Sequence, residues 1–302
     1  MEITPVTDTA SPLDERFRTP SGIRTLTLGD TRLTYVPDGQ ANLTARVLLA
    51  AATEAYWAEH AAYLDDDGHL VAGLGALLVE RDGRAMLIDA GMGPTEVTLP
   101  HVGVITGGTM LDNLAALGRS PEDIEVVALT HLHPDHSGWA WHPAPGGDRP
   151  PFTEASVVLT ESEWRGRHDH EIPGLAERVT LGDLVKPMEP QVRTVADGEE
   201  IFPGVRVRFS PGHSHGHAAY VIHAGGKRVI AFGDAFHTPL QITHPLWENV
   251  IDHDHRQATA LRRDLVGELA EPDTIGFGIH FPHPFGTVRD EAGRSVWHPI
   301  EA

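Results

Sequence analysis

The feature that most constrains this chain is a short apolar strand that ends in a run of metal-binding side chains. Ile124 to Thr130 follows the turn Pro121-Glu122-Asp123 and runs straight into His131-Leu132-His133-Pro134-Asp135-His136. Pro134 disfavours helix at Leu132 and His133, so the segment reads as a loop at a strand terminus. Loops on the rim of a rigid sheet are where chemical groups are usually mounted. Alternation turns the imidazoles of His131 and His133 to one side, and Asp135 with His136 toward a neighbouring point. One metal is then half-bound, and a second is suggested.

The same placement recurs downstream. His213 follows the apolar stretch Val205 to Phe209 and the turn Ser210-Pro211-Gly212. Asp234 follows Val229 to Phe232 and Gly233, and His280 follows Ile275 to Ile279. Each is the first metal-capable polar side chain after an apolar strand. The chain has 20 His and no Cys, which excludes disulfides, thiolate catalysis and cysteine-ligated zinc or iron–sulfur centres. Imidazole with carboxylate suits zinc first, with Mn, Fe and Co as alternatives.

The 302 residues carry 43 acidic and 23 basic side chains, a formal net charge of -20. Such a field repels nucleic-acid phosphate and anionic membrane, so neither is an expected partner. No apolar stretch reaches the roughly 18 residues of a membrane span. Met1 to Pro20 lacks a signal-peptide pattern, so a cytoplasmic protein is expected. Residues 1–20 read as a flexible N-terminal arm and 21–302 as a single domain. Gly29-Asp30 and Asp82-Gly83 mark hairpins. Ala41 to Leu64 is read as a short helix or two, Met110 to Leu117 as a helix ended by Gly118, and His255 to Leu269 as the best helix. Short strands alternate with helices in both halves. The pattern is α/β and fits two sheets packed face to face under helices, without excluding other α/β layers.

The ordered set Asp89, His131-x-His133-x-Asp135-His136, His213, Asp234 and His280 resembles the metallo-β-lactamase-fold hydrolases, from about residue 75 to residue 283. A narrower resemblance, to the methyl parathion hydrolase branch and the neighbouring acyl-homoserine lactonases, rests on Gly233-Asp234-Ala235-Phe236-His237, His280-Phe281-Pro282 and the tail Gly286 to Pro299. His283 and Pro284 depart from the glycine-containing segment expected there. The resemblance implies a four-layer αββα sandwich with a two-metal site at one edge of the sheets. It implies His131, His133 and His213 on the first metal, Asp135, His136 and His280 on the second, and Asp234 bridging. It also implies that Asp89 orients a ligand histidine from behind.

The chemistry expected of such a site is hydrolysis. Two cations about 3.5–4 Å apart can share a hydroxide, formed because a bound metal lowers the pKa of water from 15.7 to about 7. Asp135 and Asp234 are the expected catalytic carboxylates, Asp135 through proton transfer to the leaving group. A small neutral or apolar ester is the expected substrate: a lactone, carboxylester or phosphotriester. A glyoxalase II-type thioester hydrolase, a β-lactamase and an iron-dependent oxidoreductase on the same fold are the competing readings. Trp139, Trp141, Phe236, His237, Trp247, Phe281, His283 and Phe285 are candidate pocket residues, about half of the aromatic ones being expected in ordinary core packing, and the Ala41 to Leu64 segment with Tyr56 and Trp57 is a candidate lid. His215 and His217 are read as groups that support the ligands from behind or pack the loop. His101, His168, His170, His253 and His255 are read as surface groups, and Asp252 and Asp254 as part of a solvated turn. A homodimer is the assembly the resemblance implies.

Overall fold

Turn chemistry sets the strand pairing. In the computed structural model, which describes residues 17–168 and 180–301, Asp82 and Gly83 both take positive φ, as a two-residue hairpin turn requires. They join β3 (His69–Arg81) to β4 (Arg84–Ile88), with Arg81 opposite Arg84. The Gly29-Asp30 turn likewise joins β1 (Arg24–Leu28) to the long β2 (Thr31–Thr44). The first sheet continues with β5 (Glu96–Leu99), β6 (Gly103–Thr106), β7 (Ile124–Ala128), β8 (Ser156–Thr160) and β9 (Val192–Val195). Its order is β5-β6-β2-β3-β4-β7-β8-β9, with β1 beside β2.

The second sheet takes β10 (Glu200–Phe202), β11 (Val205–Phe209), β12 (Ala218–Ala224), β13 (Lys227–Ala231), β14 (Thr274–Phe277), β15 (Phe285–Glu291) and β16 (Arg294–Pro299) in sequence order. Inward side chains of both sheets share one core, in which Leu33, Leu77 and Met86 meet Val207, Tyr220 and Phe277. The outer face of the first sheet is covered by the helices Met110–Ala116 and Pro134–Trp141. The outer face of the second is covered by the helix His255–Leu269 through Leu265, Val266 and Leu269. The layers thus run helix, sheet, sheet, helix, as the resemblance implies. Among the described residues no helix is long and apolar enough to cross a membrane.

The structure differs from the sequence reading in several places, among them Ala41–Thr44, which opens the expected helical segment but belongs to β2. Pro134 opens a helix: it occupies the first turn, where its missing N–H costs nothing, so only His131 to His133 form a loop and Asp135 and His136 are helical. The β5–β6 and β15–β16 hairpins are additional. In the first, exposed and half-buried residues alternate in short strands that periodicity reads poorly. Of the expected arm, residues 1–16 lie outside the described residues, and Phe17 stacks on Tyr63 with centroids 4.6 Å apart. His170 also lies outside the described residues.

Candidate metal centre

Two pairs of parallel strands, β4–β7 and β13–β14, end at the same edge of the sandwich. Asp89 follows β4, His131 and His133 follow β7, Asp234 follows β13 and His280 follows β14. His213 comes from the loop after β11, and Asp135 with His136 from the helix after the β7 loop. The side chains separate into two groups whose ligand atoms lie within 4.8 Å of one another: His131, His133, His213 and Asp234, and Asp135, His136 and His280. All seven residues marked out in the sequence are therefore brought together.

Asp234 stands between the groups. Its Oδ2 lies 3.2 Å from His213 Nε2 and 3.8 Å from His131 Nε2, while its Oδ1 lies 3.0 Å from His136 Nε2 and 2.9 Å from His280 Nε2. Gly233 makes this possible. Its φ is +50°, and a Cβ there would sit 2.6 Å from His217 Nε2.

The residues fit cations. His133 Nδ1 and His213 Nε2 are 3.0 Å apart, and His136 Nε2 and His280 Nε2 are 3.2 Å apart. Two ligands on one tetrahedral zinc, each at about 2.0–2.1 Å, stand about 3.3 Å apart. His131 Nε2 and Asp234 Oδ1 are buried without a hydrogen-bond partner, although unsatisfied buried polar atoms are costly. The far ring nitrogens explain which way each imidazole faces. His136 Nδ1 donates to Asp89 Oδ2 at 2.9 Å, His280 Nδ1 to the Gly73 carbonyl at 2.8 Å, and His213 Nδ1 to Asp252 Oδ1 at 3.2 Å. His131 Nδ1 meets Thr130 Oγ1 at 3.1 Å, a hydroxyl whose proton goes to Asp89. Each acceptor holds the proton on Nδ1 and leaves the Nε2 lone pair facing Asp234, the tautomer a metal needs. Asp89 is itself strained, at φ +64°, and also accepts Thr130 N at 2.7 Å.

Electrostatics without cations show the same division. Burial holds the His131 imidazole well below its usual pKa, and holds His133 at about 3. Burial also opposes charge on His136, but Asp234, Asp89 and Asp135 outweigh it and raise that imidazole. Burial would raise the Asp234 carboxyl, yet the surrounding imidazoles, His136 and His280 foremost, hold it well below the carboxylate range.

Three supporting groups, Asp252, Glu163 and Asp38, escaped the sequence reading. Asp252, expected in a solvated turn, is buried between His213 and Arg262, whose guanidinium donates to its Oδ2 at 2.9 Å. Burial pushes its carboxyl up, but the His213 bond and the Arg262 charge prevail and hold it at about 2. Asp254, its neighbour, caps the last helix instead. Glu163 accepts from Leu132 N at 3.0 Å, Ser214 Oγ at 2.6 Å and Gly216 N at 2.9 Å, so it ties the two ligand loops together. His217, expected as a supporting or loop-packing group, accepts the Asp234 N–H at 3.0 Å through Nε2 and turns its Nδ1 to Ser210. Asp38 is fully buried and takes the N–H groups of Met92, Gly93, Gly108 and Met110. The spacings carry no sign of these roles: Asp252 is 39 residues from His213, and Glu163 is 31 from Leu132.

An apolar cavity of about 530 Å³ opens onto the centre. His133, Asp135, Asp234, His237 and His280 form its polar floor, and Val97, Leu99 and Ile105 of the β5–β6 hairpin form one wall. Of the candidate pocket residues His237 and Trp141 line it. Trp139 is buried on the first sheet, with its Nε1–H given to Asp38 at 2.8 Å. Phe236 and Phe281 pack against Phe232 in the outer core of the second sheet, because aromatic rings following a strand fill the space under the last helix. His283 sits edge-on to Phe17, with centroids 6.0 Å apart, away from the cavity. Trp141 is the expected aromatic residue that does reach the wall. Ala41 and Leu43 of the expected lid reach the cavity, whereas Trp57 is core.

Comparison with known proteins adds the lineage. The probable metallo-hydrolase Mb2322c of Mycobacterium bovis is 30% identical over 184 residues, covering 53% of this chain and 56% of the relative. An N-acyl homoserine lactonase of Bacillus cereus is 24% identical over 164 residues, 48% of this chain and 56% of the relative. The chain thus spans about half the length of the curated relatives it matches. In fold it is similar to AidC, a dizinc quorum-quenching lactonase, with a TM-score of 0.80, 22% identity, and coverage of 93% of this chain and 98% of that one. A model of the metallo-beta-lactamase superfamily matches residues 76–274, about two thirds of the sequence. The chain belongs to the metallo-beta-lactamase superfamily.

Proposed function

We propose that this protein is a two-metal, zinc-dependent hydrolase of small neutral esters with an apolar group, lactones first, then carboxylesters and phosphotriesters. The observation that carries the reading is the divided carboxylate of Asp234, with one oxygen toward each donor group, at the floor of an apolar cavity. His131, His133 and His213 with Asp234 would hold one cation, and Asp135, His136 and His280 with Asp234 the other. When bound, the cations supply Lewis acidity and a water acidic enough to react near neutral pH. Asp135 is half-buried at the cavity floor, its Oδ2 3.7 Å from His136 Nε2, and is the carboxylate placed to pass a proton to the leaving oxygen. The apolar walls exclude water and favour a substrate with a hydrocarbon arm. The family's lactonase relatives support the same substrate class.

The test is metal analysis of the purified protein, joined to turnover of lactones, aryl esters, phosphotriesters, thioesters and β-lactams. Two zinc ions per chain and preferred lactone turnover are expected. Chelation should abolish turnover and added zinc should restore it. His133→Ala and Asp234→Ala should lose metal and activity together, and full activity in either overturns the reading.

A further inference from the structure

Among the described residues that line the cavity, only His142 and Thr95 are polar away from its floor. His142 closes the helix Pro134–Trp141, and its ring stacks on the Trp141 indole with centroids 4.1 Å apart. Trp141 is held in turn by its Nε1–H, given to Ser137 Oγ at 3.1 Å. The imidazole also rests against Gly93, where a Cβ would sit 2.8 Å from His142 Cδ2. An indole on its own helix and a glycine on another segment therefore fix the ring. The Gly93 carbonyl accepts the Thr95 N–H at 2.8 Å, so the two polar residues border the same glycine. Both are half-buried. Within the described residues neither the His142 ring nitrogens nor the Thr95 hydroxyl makes a hydrogen bond.

Asp135 at the floor and His142 on the wall belong to one helix, whose rise sets them about 10 Å apart along its axis. Burial holds the His142 imidazole below its usual pKa against the attraction of Asp38, so it is neutral near pH 7 and offers one donor and one acceptor. The Thr95 hydroxyl offers both. A plain hydrocarbon arm laid over these groups strips their water and returns nothing, which is costly. An arm carrying an oxygen at that point replaces the lost bonds. Resting on the hydrolase reading, we propose that His142 and Thr95 form a polar subsite that takes a hydroxyl or keto oxygen on the substrate's arm, about 10 Å from the floor, and so selects oxygenated over plain arms. A neutral hydrogen bond of this kind is worth about two- to tenfold in affinity.

The test compares lactones of equal arm length, one plain and the others with a hydroxyl or keto oxygen at successive carbons. In the zinc-loaded wild-type protein KM should fall by about two- to tenfold at one favoured position, and a flat series overturns the proposal. His142→Phe keeps a ring on Trp141 but removes both hydrogen-bonding nitrogens. The ratio of plain to oxygenated KM should drop to about one, with two zinc ions retained. His142→Gln, which keeps a donor and an acceptor, should restore part of the preference. An unchanged ratio in His142→Phe overturns the proposal. Thr95→Val, which conserves shape, should lower the same ratio should the ring variant misfold, and the wild-type series needs no variant. A protein that hydrolyses none of the esters fails the functional reading. The subsite is then decided by binding a straight-chain terminal diol and the single alcohol of the same length to zinc-loaded, ¹⁵N-histidine protein. Tighter diol binding with a shift of the His142 ring nitrogens is expected, and equal binding overturns the subsite.

Discussion

Asp252 accepts a hydrogen bond from His213 Nδ1 at 3.2 Å and, with its other oxygen, one from Arg262 at 2.9 Å. A carboxylate behind a ligand imidazole fixes its direction and raises its basicity, and its loss typically costs 10–100-fold in metal affinity. Asp252→Asn should weaken zinc binding by about that factor in a chelator competition. Asp252→Ala should also destabilise the fold by about 3–5 kcal/mol in urea, because it leaves the Arg262 charge buried and unpaired.

Gly233→Ala tests the turn that presents Asp234. An alanine there meets His217 and Thr130 at 2.6–2.9 Å and must hold φ at +50°. Stability should fall by more than about 1 kcal/mol and metal content should fall with it, measured by thermal unfolding and elemental analysis.

Asp38 accepts from four backbone amides and from Trp139 Nε1. Asp38→Ala strands these buried donors, each worth about 1–3 kcal/mol. A loss of at least about 4 kcal/mol in denaturant titration is expected, enough to endanger folding of an ordinary domain.

The wall formed by β5–β6 should set the size of the substrate's apolar arm. Ile105→Trp fills part of the cavity. KM for long-chain lactones should rise by about tenfold, since one or two methylenes left in water cost about 0.8 kcal/mol each. Short-chain substrates should be little affected, and equal loss for both would place the arm elsewhere.

Glu80 provides a pH prediction remote from the metals. Burial pushes its carboxyl up, but hydrogen bonds from Arg32 and Arg119 prevail and hold it below the ordinary range. Because its folded pKa is depressed, its stabilisation is full above the unfolded value of about 4.3 and is lost as pH falls through the folded value. Glu80→Gln should lower stability at pH 7 and flatten the acid limb of a stability–pH curve. An unchanged acid limb would contradict this.

His131, His133, Asp234 and His280 were legible because each stands just past the end of an apolar strand, a local pattern that survives folding unchanged. His131 and Asp234 show this best. What surrounds them was less readable. Phe281 adjoins His280 and Trp139 lies one helical turn from His136, yet both side chains are taken up by the packed outer layers. Asp252 and Glu163 reach their partners only through the meeting of the two sheets, which no local spacing records. Pro134 was misread because the same residue that ends one helix starts another.

Glu163 holds Leu132 on one side and Ser214 and Gly216 on the other, and does so with the protein's own hydrogen bonds. The two ligand loops are therefore joined by bonds that need no ion. Ion uptake then resembles filling a finished socket, so stripped protein should remain folded and accept zinc again without passing through a denatured form.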